Sequence, residues 1–231
     1  MKTLPYLMAL AMTVAAGIET SFAQAPAAGG TNAAAAPAAA PGAGAAPAGG
    51  ARRGGGRGGG GPALSVATTA WADGGEVPMK HAGRGGNASP AFDFNWSMAG
   101  NAATAPTNLV SYAVVMHDIE NAPQRGTTDT LHWTIFNIPG AAKGIAEGLA
   151  AGDLPDGSRQ GPGVRGGSYF GPGAGFGPFH HYVFEFYALD IKLELPADAT
   201  RQQIFAAMEG HVIGKAAYVG RFRAPPPTPQ P

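Results

Sequence analysis

Between residues 92 and 222 the apolar positions fall into short runs, many with a period of two, separated by Gly, Pro, Asn and Asp. That pattern predicts strands and turns. The run LVSYAVVM (Leu109–Met116) is apolar on both alternating faces, as a central strand covered on both sides requires. LHWTIFNI (Leu131–Ile138) reads the same way and stops at the turn signal Pro139-Gly140. HYVFEFYAL (His181–Leu189) is the strongest strand, with Tyr182, Phe184 and Phe186 on one face. HVIGKAAYVGRF (His211–Phe222) predicts a late strand whose glycines mark a bulge or a close approach, and FDFNW (Phe92–Trp96) a shorter one. One helix is clear: Thr200 with Gln203 forms a capping-box pattern, and Ile204, Phe205 and Met208 make an apolar stripe that stops at Gly210. Ala141–Leu149 predicts a second short helix. Strands dominate and β and α segments do not alternate, so the expected fold is mainly β, a sheet sandwich with short peripheral helices.

The two ends break this pattern. MKTLPYLMALAMTVAAGIETSFAQA has Lys2, an apolar run from Leu4 to Ile18, and small residues Ser21 and Ala23 around Phe22. It reads as a signal peptide (1–23) cleaved after Ala23, with Ala25 as a second site. A transmembrane anchor is the competing reading, but the run is about fifteen residues, short of the roughly 20 needed to span hydrocarbon. From Gln24 to Ala63, 34 of 40 residues are Ala, Gly or Pro, which cannot pack a core and read as a disordered tether. Its RRGGGRGGG portion resembles a small RGG tract, yet three arginines in an exported chain fit a solvated linker better than a nucleic-acid contact. The tail APPPTPQP (224–231) reads as a short polyproline-II extension.

Residues 64–223 then form one domain, expected in the periplasm or secreted. They carry eleven Lys/Arg, fourteen Asp/Glu and all six His, a formal charge of 11 − 14 = −3. Bulk charge therefore argues against nucleic acid as a partner. The absence of cysteine excludes disulfides, thiolate metal sites and a cysteine nucleophile. About 160 residues bury enough surface to fold without staples.

Several catalytic signatures are absent. No G-x-G-x-x-G follows a strand, no phosphate loop ends in Gly-Lys-Ser/Thr, no H-E-x-x-H occurs, and Ser168 in GGSYF is not a hydrolase elbow. What remains is a set of polar residues at strand ends. His117-Asp118 follows the first central strand, His132 opens the next beside Trp133, and His180-His181 opens the strongest one after the loop RGGSYFGPGAGFGPF (Arg165–Phe179). Alternation sends His180 to the side of Tyr182 and His181 to the opposite side. A hollow with one carboxylate and two imidazoles suits a small anion. Asp118 as an acceptor of turn amides, and the histidines as ordinary strand residues, are the plainer readings. A zinc or copper site from Asp118, His132 and His180 has irregular spacing and is not favoured, and no cofactor is expected.

Four motifs follow one another along the chain: AWADGGEVPMKHAGRGGNASPAFDFNW, MHDIENAPQRG, LHWTIFNIPG and GGSYFGPGAGFGPFHHYVFEFYALD. In these motifs and their order the chain resembles the phosphatidylethanolamine-binding protein family, especially its bacterial branch, over essentially all of 64–223. The resemblance implies a large antiparallel sheet packed on a smaller one, with a pocket for phosphate-like anions or phospholipid head groups. Carried over by motif, Asp118 is a pocket aspartate, His132 a pocket histidine, His180 and Tyr182 a His-x-Tyr pair, and Gly171 and Pro172 the start of the loop beside the pocket. Two departures stand out. Asp-Ile-Glu-Asn-Ala-Pro has one residue more than the family's Asp-Pro-Asp-Ala-Pro, and Gly173-Ala174-Gly175 replaces further prolines, which predicts a looser rim. The resemblance leaves three readings in order: an exported binding protein for a phosphate- or carboxylate-bearing small molecule, an inhibitor or regulator of an exported protein partner, and a metal-independent hydrolase.

Overall fold

The computed structural model describes residues 61–196 and 198–227. The expected signal peptide, all but the last three residues of the tether, and the end of the tail lie outside them. Along the chain the elements are β1 (Ala63–Ala67), β2 (Gly75–Glu76), β3 (Phe92–Met98), β4 (Asn101–Ala102), β5 (Ser111–Asp118), β6 (Thr130–Pro139), β7 (Gly144–Ile145), β8 (Arg159–Gln160), β9 (His180–Leu189), α1 (Arg201–Met208) and β10 (Val212–Phe222). A single 3-10 turn, Pro123–Arg125, lies between β5 and β6.

The strands form two sheets. The larger has the order β2-β10-β9-β5-β6-β8, antiparallel throughout except for the short parallel pair of β2 with β10. The smaller is β1-β3-β4, with β7 also on β3. This is the expected mainly β architecture, with one α-helix among the described residues. Leu64, Phe92, Phe94 and Trp96 from the small sheet pack with Tyr112, Val114, Met116, Phe184 and Phe186 from the large one. Ala113, Val115, Phe136 and Tyr187 use the opposite face of the large sheet and pack under Ile204 and Met208 of α1. Strand β5 is therefore buried at all eight positions, which is why its sequence is apolar on both faces. Each fully buried side chain of this size contributes about 1.5–3 kcal/mol. The indole N–H groups that burial would orphan are satisfied: Trp96 donates to the Tyr112 hydroxyl at 3.0 Å and Trp133 to Gln160 Oε1 at 2.7 Å.

The capping box of α1 forms as read, with the Thr200 hydroxyl accepting from the Gln203 N–H and the Gln203 side chain accepting from the Thr200 N–H. The helix expected over Ala141–Leu149 does not form. Turns surround β7 there, and its backbone pairs with Phe92 and Asp93 of β3 so closely that a Cβ on Gly144 would collide with the Phe92 carbonyl. Burial of Ile145 against the inter-sheet core outweighs the weak helical tendency of a segment holding two glycines.

Two irregularities shape the centre of the large sheet. Between β5 and β6 the register skips at Asn137, which sits at φ +59° and ties Leu193 to the sheet with two amide hydrogen bonds of 2.9 and 2.8 Å. It skips again at His132, since Met116 faces Trp133 while His117 faces Leu131. The second bulge sits at the edge of a cavity that His132 lines.

Candidate functional site

Cross-strand pairing assembles the site at one end of the large sheet, on the face toward the small sheet. Asp118 ends β5 directly opposite Tyr182 of β9. His180 lies two residues earlier on β9, on the same side as Tyr182. His132 would alternate away from Trp133 in a regular strand, but the bulge re-aims it, so that His132 and Trp133 are both buried while Leu131 packs with the opposite core. Asp118, His132, His180 and Tyr182 thus share one cavity of about 350 Å³, also lined by Asn121, Thr130, Val164, Phe170, Gly173 and Ala174.

The two imidazoles are held through the same ring atom by different partners. His180 Nδ1 lies 2.9 and 3.0 Å from the two Asp118 oxygens. His132 Nδ1 donates to the Phe170 carbonyl at 3.0 Å, and its ring stacks on Phe170 and meets Tyr182 edge-on. In both, Nε2 is the atom left for a ligand. Burial lowers the pKa of His132, against the opposing pull of the Phe170 carbonyl and the Asp118 charge. His132 is therefore a neutral ring at pH 7, and its Nε2 accepts hydrogen bonds. His180 is more open, and when protonated it donates from Nε2 while keeping Asp118 on Nδ1.

Asp118 is almost completely buried and fully employed: besides His180, its Oδ1 accepts from the Glu120 and Asn121 N–H groups, each at 3.1 Å. Asp118 thus accepts the turn amides and lines the cavity at the same time. The extra residue in this turn is accommodated by dividing its side chains. Glu120 turns outward and bonds the His181 backbone N–H at 2.7 Å and ring at 2.6 Å, while Asn121 lines the cavity. Among the described residues, ligand atoms of Asp118, Glu120 and His180 come within 4.8 Å of one another, close enough to share a cation, and this group does not include His132.

Tyr182 acts on the wall. Its hydroxyl oxygen accepts from the Gly173 and Ala174 N–H groups at 3.2 and 3.1 Å. Burial, and next the Asp118 charge, push its pKa up, so the phenol keeps its proton. Gly171 and Pro172 do not line the cavity, although the Gly171 backbone reaches the His132 ring. The Gly171 N–H donates to Asn87 Oδ1 and the Pro172 carbonyl accepts from Gly83, and the chain passes so close to His81 that a Cβ on Gly171 would strike its carbonyl. The rim expected to be loose is tied down: Arg84 donates to the Gly173 carbonyl at 2.8 Å, and the Ala224 N–H reaches the Ala174 and Gly175 carbonyls. Phe170, which holds His132 by both carbonyl and ring, is the wall residue that sequence reasoning missed.

The sequence and the fold match known proteins. The family model described as phosphatidylethanolamine-binding protein matches residues 67–223. A UPF0098 protein of Methanothermobacter thermautotrophicus is 36% identical over 162 residues, covering 69% of this chain and 99% of that protein. A Mycobacterium tuberculosis protein named as a candidate lipoprotein, LppC, is 32% identical over 163 residues, covering 69% and 72%. Among solved structures, the homologue CT736 from Chlamydia trachomatis aligns with a TM-score of 0.60 at 25% identity, over 71% of this chain and 99% of that one. Escherichia coli YbcL aligns with a TM-score of 0.57 at 24% identity, over 70% and 99%, and shares the fold. The chain belongs to the phosphatidylethanolamine-binding protein family.

Proposed function

We propose that this chain is an exported binding protein whose cavity holds a small molecule bearing a phosphate or carboxylate group. The observation that carries the reading is the pair of imidazoles, each anchored through Nδ1, that share one aromatic-walled cavity beside a buried carboxylate. Their anchors differ in a useful way. His180, with a carboxylate on Nδ1, can donate from Nε2 to an anionic oxygen, whereas neutral His132, held by a backbone carbonyl, accepts from a ligand hydrogen. A monoprotonated phosphate, or a head group with both phosphate and ammonium, offers the two kinds of atom together. Export is supported by the basic start, apolar run and small-residue cleavage pattern of residues 1–23, and by the likeness to a protein named as a candidate lipoprotein. Among the described residues no helix is long and apolar enough to cross a membrane.

Calorimetric titration with phosphoethanolamine and with inorganic phosphate tests the reading. Binding in the millimolar range or tighter is expected, weakened at least tenfold in His132→Ala and in His180→Ala. Equal heats from the wild type and both variants would overturn it.

A further inference from the structure

Four arginines flank the loop that walls the cavity without forming an ion pair, although Glu76 of β2 lies in register opposite Arg221. Arg84 bonds the Gly173 carbonyl, Arg165 lies 4.7 Å from the Phe170 ring centroid, and Arg221 and Arg223 lie 4.8 and 4.4 Å from that of Phe179. All four are exposed, and none forms an ion pair with a carboxylate among the described residues, whereas Lys80, Arg159, Arg201 and Lys215 each do; Arg125, Lys143 and Lys192 are likewise unpaired but do not contact this loop's aromatic or backbone groups. This cationic rim stands out against a domain whose formal charge is negative. Stacking on an aromatic face fixes the guanidinium plane and leaves its N–H edge free, the geometry suited to phosphate oxygens.

Between these arginines the loop tip carries an apolar side chain. Phe176 is 67% exposed, the most exposed large hydrophobic residue described, and Gly175 and Gly177 on either side add no side chain that would screen it. Val164, on the cavity wall, is also exposed. Unpaired arginines on the loop's two flanks and a projecting phenylalanine between them in sequence match a surface that is anionic outside and apolar just beneath. An acidic protein segment would answer the arginines but gives no reason for Phe176 to stand in water.

We propose that the rim formed by Arg84, Arg165, Arg221 and Arg223, with Phe176 at its tip, docks the protein on an anionic phospholipid bilayer. The arginines meet lipid phosphates, and Phe176 enters the boundary between head groups and acyl chains. The net negative remainder of the domain turns the opposite side away from the bilayer. The proposal does not depend on what fills the cavity.

A Phe176→Trp variant of the full chain reads the contact directly, because the three native tryptophans are all buried and the new one reports the tip. Vesicles containing phosphatidylglycerol are expected to shift its emission to the blue at low salt. The shift should disappear with pure phosphatidylcholine vesicles and in 0.5 M salt. In a second comparison, Arg221→Gln/Arg223→Gln is expected to weaken partitioning onto the same vesicles about tenfold at unchanged melting temperature. The basic start and the tether arginines are common to every variant, so these differences belong to the rim. His132→Ala/His180→Ala should partition like the wild type. An emission spectrum unmoved by phosphatidylglycerol, an equal shift with phosphatidylcholine, or salt-sensitive binding to polyglutamate without binding to vesicles would each overturn the proposal.

Discussion

Neighbouring residues His117 and Asp118 of β5 point to opposite faces of the large sheet, and each takes part in a histidine–carboxylate cluster. The two clusters have opposite characters. Behind the sheet His117 lies between two acids: its Nδ1 is 2.5 Å from Asp129 Oδ2, and its Nε2 is 3.5 Å from Glu185 Oε2, an ion-pair distance without hydrogen-bond alignment. Asp129 also holds Arg201 of α1, and Glu185 holds Lys215 of β10 at 2.7 Å. Every charge there has a protein partner. In front of the sheet, Asp118 and His180 form one pair, His132 leans on a backbone carbonyl, and two Nε2 atoms remain for a ligand. Closure of the charge network, rather than residue type, separates a structural histidine from one available for binding.

The charge states follow the same division. Burial works against a charged His117, but the Glu185 and Asp129 carboxylates more than offset it and the pKa is raised. Glu185 is held down at about 2 by His117 beside it, with Lys215 adding to the effect against burial. For His132, with no aligned acid, burial prevails and the pKa falls.

The largest expected effect belongs to the closed cluster. Asp129→Ala strips partners from both His117 and Arg201, and we expect a loss of about 2–3 kcal/mol in denaturant unfolding with ligand affinity unchanged. A matching loss of affinity would erase the distinction between the faces. Next, His180→Ala removes a ligand donor from the open cluster. Affinity for phosphate should fall about thirtyfold, roughly 2 kcal/mol, while stability changes by less than about 1 kcal/mol.

A smaller effect is expected for Tyr182→Phe, which leaves the Gly173 and Ala174 N–H groups without their acceptor. It should cost about 1 kcal/mol of stability and several-fold in affinity, seen together in unfolding and titration, because the tyrosine works through the wall. Weakened binding at full stability would make Tyr182 a direct ligand contact instead. The smallest and most diagnostic effect is a difference in pH slopes. A raised His117 contributes stability that is complete below the unfolded value of 6.5 and is lost as pH rises through the folded value. A lowered His132 contributes stability present above 6.5 and lost as pH falls toward its folded value. Melting temperatures from pH 5 to 8.5 should therefore lose part of their alkaline decline in His117→Gln and part of their acid decline in His132→Gln. Identical profiles for the two variants would contradict the assignment.

Much of this was legible in the chain. Alternation along HYVFEFYAL placed His180 with Tyr182 and His181 on the other side, and four ordered motifs named the family. The double-sided apolar run of β5 announced a sheet covered on both faces. What escaped depends on backbone irregularity and distant partners. Alternation along LHWTIFNI would turn His132 away from Trp133, and the bulge that reverses this has no local residue signature. Phe170 holds His132 with a carbonyl that any residue could supply. Gly171 and Pro172 were legible as the start of the loop beside the pocket, but their own hydrogen bonds to Asn87 and Gly83 tie that loop to the 81–87 segment, which no local pattern announces. The partners of His117 come from a loop, from β9 and, through Asp129, from α1, a convergence that only the folded chain reveals.

Histidine ring resonances followed by NMR during titration with phosphoethanolamine distinguish a front cluster open to ligand from a closed back cluster. The His132 and His180 resonances should move with one common binding curve while those of His117 stay in place. Unmoved His132 and His180 resonances at millimolar ligand, or a shift of His117 as large as theirs, would contradict that distinction.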